Sequence, residues 1–202
     1  MDATAAFLRA ALPEPRIILH QRLKAYALGH EMILRRLESP FLCCQPYDRL
    51  TLEKKLFTAV FVCAHDYDEA WTGLQDPQLP AQFRAWRKLC GRFDLNEIAL
   101  AFLQYLRDGR NNCPEFTRVQ SRASSARPGA PLLLTLWQVL TGRLNFSRAE
   151  ALACPYNLAL WHYLGLRESQ GAGYLRHGVL EQLRLQMKKL GLEPLRVHPV
   201  LN

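Results

Sequence analysis

From Leu52 to Glu69 the sequence LEKKLFTAVFVCAHDYDE spreads apolar side chains over nearly the whole circumference of a helix. Such a helix is stable only when other elements cover it on several sides, so the segment is expected at the centre of a helical domain. Its longest uninterrupted apolar stretch, Leu56 to Ala64, is far short of the roughly 20 residues a membrane helix needs. The remainder of the 202 residues must supply the covering, and that length suffices for one full hydrophobic core.

Helix signals recur along the chain. Ile17, Leu19, Leu23, Tyr26, Ala27, Ile33, Leu34 and Leu37 include neighbours three and four apart, such as 19/23, 23/26, 23/27, 33/37 and 34/37, which predicts a long amphipathic helix over 16–38, with Gly29 as a kink and Ser39-Pro40 as its end. The stretch FLCCQPYD then reads as an apolar loop, with Thr51 capping the next helix. The break TGLQDPQLP precedes a helix over AQFRAWRKLCGRF, and Asp94 with Glu97 forms a capping-box pattern for a helix ending near Asp108-Gly109. Residues 110–130 are rich in Ser, Pro and Arg and read as a linker or mobile loop between an N-terminal helical half, 1–109, and a C-terminal half, 131–202. With no long run of period two, the expected fold is all-α: a compact multi-helix domain of about eight or nine helices in two packed halves joined by the polar linker.

Catalytic and metal chemistry find little support in the spacing. Cys43, Cys44, Cys63 and His65 are the tempting ligand set, but adjacent cysteines and C-x-H do not match the pairs that hold zinc. Cys63 or Cys154 with His65 or His162, and Asp66 or Glu168 as orienter, would make a nucleophilic triad only if the fold gathered them. The glycines of GAGYLRHG follow a helix rather than a strand, so Gly171 and Gly173 read as a helix stop and not a phosphate loop. The carboxylates of Asp66 to Glu69 read as solvated surface at a helix C-terminus. The expectation is a non-enzymatic protein without cofactor or metal. Six cysteines without the density of a disulfide scaffold read as reduced thiols, and the start MDATAAFLRAALPEPR lacks a secretory pattern, which points to the cytosol.

Charge adds a hint. The net charge of +8 favours acidic or anionic partners. The C-terminal stretch, with Val179, Leu180, Leu183, Leu185, Met187 and Leu190 apolar and Arg176, Arg184, Lys188 and Lys189 basic, reads as an amphipathic helix suited to its own core, to a partner helix or, less favoured, to a phosphate backbone. No nucleic-acid-binding motif accompanies it.

The segments LGHEMILRRLESPF (28–41), KKLFTAVFVCAHDYDEA (54–70) and SRAEALACPYNLALWHYLGLRESQG (147–171) together resemble small proteins of tailed-phage and prophage tail modules, of the tail assembly chaperone type. The resemblance implies an all-helical protein in the cytoplasm of a bacterial host that escorts the long helical tape-measure protein, or another phage structural protein, with self-association left open. A basic nucleic-acid-associated phage accessory protein is the alternative. Under this reading Ser147 and Glu150 form a capping box, Cys154-Pro155 a helix-to-helix corner, and Leu158, Trp161 and Leu164 pack. Tyr156, Trp161, His162 and Tyr163, with Arg176, Arg184, Lys188 and Lys189, are then the candidate partner-binding residues, a core or boundary position being the stronger reading for Tyr156, His162 and Tyr163, and Arg118, Arg122 and Arg127 are the linker arginines.

Overall fold

The computed structural model describes residues 7–8, 10–11, 14–43, 48–110, 116–118 and 130–175. These residues are mostly helical, as expected, with two short strand pairs besides. Among them no helix is long and apolar enough to cross a membrane.

The largest departure from expectation comes first in the chain. In place of one helix over 16–38, β1 (Arg16–Ile18) and β2 (Gln21–Leu23) form an antiparallel hairpin that pairs Ile17 with Arg22, and α1 spans only Leu28–Arg36. The apolar spacing misled because strands of three residues are too short to display their alternation, in which Ile18 and Leu23 turn inward and Ile17 and Arg22 outward. Tertiary hydrogen bonds then hold the backbone extended beyond β2. The Lys24 amide donates to the Cys63 carbonyl, the Tyr156 amide to the Tyr26 carbonyl and the Leu28 amide to the Cys154 carbonyl, at 2.8–3.0 Å.

The two-residue turn of the hairpin puts Leu19 at φ 51° and His20 at φ 63°. This left-handed geometry suits the twist of a hairpin but costs an L-residue energy. Leu19 is anchored, its side chain buried and its carbonyl accepting from Trp86 Nε1 at 2.8 Å. His20 is exposed, so His20→Gly is expected to raise stability by about 0.5 kcal/mol, the strain relieved less the entropy of glycine in the unfolded chain. Urea melts of the two proteins measure it.

α1 closes with the Glu38 amide on the Arg35 carbonyl and the Ser39 amide on the Leu34 carbonyl, and Pro40 opens a short α2 (Pro40–Cys43) where a loop was expected. The cap of α3 (Arg49–Ala64) is Asp48, not Thr51, because the carboxylate Oδ1 reaches the Leu50 and Thr51 amides, both at 3.0 Å. α3 is the central element anticipated from its composition, with Leu56, Phe57, Ala59, Val60, Val62 and Cys63 all buried.

The buried helix stops at His65, earlier than the composition suggested. Asp66 to Glu69 therefore begin α4 (Tyr67–Gly73) instead of ending α3, and the Asp66 amide donates to Glu69 Oε2. The carboxylates thus sit where the helix dipole favours them, and Lys24 Nζ meets Asp66 Oδ2 at 2.6 Å. α5 (Leu79–Leu89) and α6 (Leu95–Arg110) follow, with Asp94 Oδ1 accepting from the Asn96 amide at the start of α6.

In the second half, α7 (Leu132–Arg143), α8 (Arg148–Ala153) and α9 (Tyr156–Ser169) follow the anticipated punctuation. Ser147 and Glu150 cap α8 reciprocally at 3.2 and 2.8 Å, Pro155 occupies the N-cap of α9, and Gly171 at φ 69° closes α9. Within the stretch read as a linker, β3 (Phe116–Arg118) pairs antiparallel with β4 (Gly173–Leu175). One hydrophobic cluster joins the halves, with Leu136, Leu140, Ala151, Cys154 and Ala159 packed into the same core as α1, α3 and α6.

Candidate functional site

The densest polar chemistry in the interior is built on the Gly29-His30-Glu31 triplet at the start of α1. Gly29 is required by close approach: a Cβ there would lie 3.0 Å from the Leu152 carbonyl oxygen and from Tyr67 Cβ. His30 accepts from the Ala27 amide through Nδ1 at 3.1 Å, which places its proton on Nε2, the atom 2.9 Å from the His65 carbonyl oxygen. The imidazole therefore ties the first turn of α1 to the junction of α3 and α4. Burial lowers its pKa, because the charged form would lose water and the Nδ1 acceptor would be gone.

Glu31 is completely buried and is approached by polar side chains from three directions. Tyr26 Oη donates to Oε2 at 2.6 Å, Arg35 Nε approaches Oε1 at 2.6 Å one helical turn on, and Arg110 Nε stands 3.3 Å from Oε2 at the end of α6. The Tyr26 phenol is pushed well above its ordinary range, by burial first and by the Glu31 charge second, so it stays a donor. Tyr105 lies edge-on to Tyr26 with ring centroids 5.8 Å apart and donates to the Lys24 carbonyl at 2.9 Å. Asn157 Nδ2 donates to the Asp108 carbonyl, linking the start of α9 to the end of α6.

Packing around Tyr26 is tight. A Cβ on Gly109 would fall 2.5 Å from Tyr26 Cβ, nearer than two carbons can approach. Gly109→Ala is expected to cost about 1–3 kcal/mol by forcing α6 off the hairpin strap, read as a lower denaturation midpoint at unchanged m-value.

His30 also predicts a pH dependence. A histidine whose folded pKa is depressed binds fewer protons in the native state than in the unfolded one. Its contribution is therefore complete above the ordinary value near 6.5 and lost as pH falls below it. His30→Gln keeps an acceptor for the Ala27 amide without titrating. The difference in stability between wild type and this variant should shrink between pH 7.5 and pH 5, and a difference constant over that range would contradict the assignment.

Burial works against the cysteine-based constellations. The Cys63 thiol is buried against Tyr105 and its pKa is driven upward by desolvation, the reverse of what a nucleophile needs. His65 Nδ1 instead pairs with the Phe61 carbonyl oxygen at 2.8 Å. Burial pushes the Cys154 thiol up to about 11 and lowers the pKa of His162, whose ring stands 5.9 Å from Phe146. Among the described residues no three His, Cys, Asp or Glu side chains gather as a metal ion would require.

The residues expected to bind a partner divide sharply. Tyr156 takes the core position, with its ring 6.2 Å from Tyr26 and its amide donating to the Tyr26 carbonyl at the start of α9. Trp161, His162 and Tyr163 are half-buried; Trp161 meets Phe7 edge-on at 5.6 Å and Tyr163 packs on the core. Arg118 is described by its place in β3, whereas Arg122, Arg127, Arg176, Arg184, Lys188 and Lys189 lie outside the described residues.

Sequence reasoning missed the Glu31 cluster. Its local signal was the Glu31–Arg35 pair at i, i+4, while Tyr26 and Arg110 are joined to it only by the fold. Compared with known protein families, curated proteins and solved structures, the chain matches none of them.

Proposed function

We propose that the chain is a partner-binding protein of the tail assembly chaperone type, which holds a long helical protein, the tape-measure protein of a phage tail, in the cytoplasm of the bacterial host until the tail tube polymerises. The observation that supports this reading is an apolar strip on the outside of α6. Leu100 and Leu103 are 66% and 43% exposed and stand one turn apart, and Ile17, 73% exposed, projects from β1, which packs on the same helix. Single exposed leucines are ordinary, but apolar residues spaced along one helix face match the anchors of an amphipathic partner helix.

Co-expression with a candidate tape-measure protein tests the reading. The two chains should co-elute in size-exclusion chromatography, and Leu100→Glu with Leu103→Glu should abolish co-elution while leaving the helical circular dichroism unchanged. Separate elution of the wild-type pair would count against the proposal, as would a complex indifferent to both substitutions. The net charge of +8 favours a second reading, association with nucleic acid, whose mark is retention that falls steeply with salt.

A further inference from the structure

The Glu31 cluster carries unequal charge. Arg35 from the last turn of α1 and Arg110 from the end of α6 reach opposite oxygens of one carboxylate, both through the inner nitrogen Nε. Two cations thus face one anion. Asp108, the acidic neighbour on α6, is engaged by Arg16 at 2.5 Å.

Exposure is unequal as well. The Glu31 side chain is fully buried, while those of Arg35 and Arg110 remain 48% and 31% exposed. A guanidinium presents five N–H donors in a planar fork, so an arginine that meets a carboxylate along its Nε edge keeps the donors of its far edge for another acceptor. Arg110 Nε is itself shielded from solvent and lacks a well-directed hydrogen bond, so Glu31 does not saturate that side chain.

We propose that Arg35 and Arg110 together form a binding site for an oxyanion, a carboxylate or phosphate group seated across the outer amino groups of both guanidiniums. Glu31 acts as the spacer. By hydrogen-bonding Arg35 Nε and pairing its charge with Arg110 it sets the two guanidiniums beside each other before the ligand arrives, which removes much of the entropy cost of ordering two long side chains. Tyr26 holds Glu31 in turn, and the surplus positive charge supplies the attraction.

Calorimetric titration with inorganic phosphate and with acetate, at ionic strength held constant with chloride, tests the site. Saturable binding is expected. Arg35→Gln and Arg110→Gln should each weaken it by about tenfold or more, the loss of a charge-assisted hydrogen bond, whereas Arg49→Gln at the exposed start of α3 should not change it. Binding of phosphate alone would identify a phosphate site, and of acetate alone a carboxylate site. If either variant fails to fold, the Nε–H signals of Arg35 and Arg110 in 15N spectra of the wild type decide, and both should shift with the saturating anion. Absence of saturable binding, absence of those shifts, or binding that survives both substitutions overturns the proposal.

Discussion

Glu31→Gln is expected to lower the unfolding free energy by about 3 kcal/mol, the lower end of the cost of breaking a buried ion pair from one side. The substitution keeps the size of the side chain and removes its charge. Tyr26 and Arg35 donate to the carboxylate and the Arg110 guanidinium pairs with its charge, and a carboxamide can satisfy only part of that set through its single oxygen. Its NH2 group would then face a guanidinium as donor against donor. The partial exposure of both arginines limits the damage, since each can turn some of its charge to water. Arg35→Gln should therefore cost less than Glu31→Gln, although both break the same 2.6 Å contact. Equal losses would mean that the pair, and not the buried carboxylate, is the unit that matters. A net gain for Glu31→Met would show that the cluster specifies geometry at the expense of stability, as buried ion networks do in some proteins.

What could be read from the sequence follows the range of the interactions involved. Ser147 with Glu150 and Gly171 are set by hydrogen bonds within a few residues, and the structure places them as their types imply. The central burial of α3 was legible because a helix apolar on all sides has no alternative. Residues 24–28 were misread for the opposite reason, since what holds them extended are the carbonyls of Cys63 and Cys154 and the amide of Tyr156, far along the chain, whereas 16–23 form a local hairpin whose strands are too short to show their alternation. The limit applies equally to the site. Arg35 could be paired with Glu31 by counting, but Arg110 arrives only because α6 crosses behind Tyr26, and Gly109 permits that crossing. Tyr156 is left between core and interaction face by its neighbours in sequence, and its amide on the distant Tyr26 carbonyl is what sets it in the core.

Phe102→Ala is expected to have the largest effect of a core truncation, about 3–5 kcal/mol. Phe102 is completely buried on α6, its ring edge-on to Phe41 of α2 at 5.1 Å and tilted against Tyr105 at 5.7 Å. Truncation removes the transfer energy of the ring and leaves a cavity whose walls belong to separate elements, so no single side-chain rotation can fill it. Tyr105 cannot swing into the space without surrendering its hydrogen bond to the Lys24 carbonyl. A loss of that size is a large fraction of the 5–15 kcal/mol typical of a domain, so the variant should show a lowered melting temperature and, at 37 °C, enhanced proteolysis. Phe102→Leu, which restores most of the volume, should recover more than half of the deficit. Phe83, half-buried on α5 among Phe57, Phe61 and Trp86, provides the contrast: Phe83→Ala should cost less because solvent already reaches part of the ring and its neighbours can close over the gap. If Phe83→Ala proved the costlier, the centre of the core would lie between α3 and α5, and α6 would be a peripheral helix carrying its apolar strip on a loosely held support.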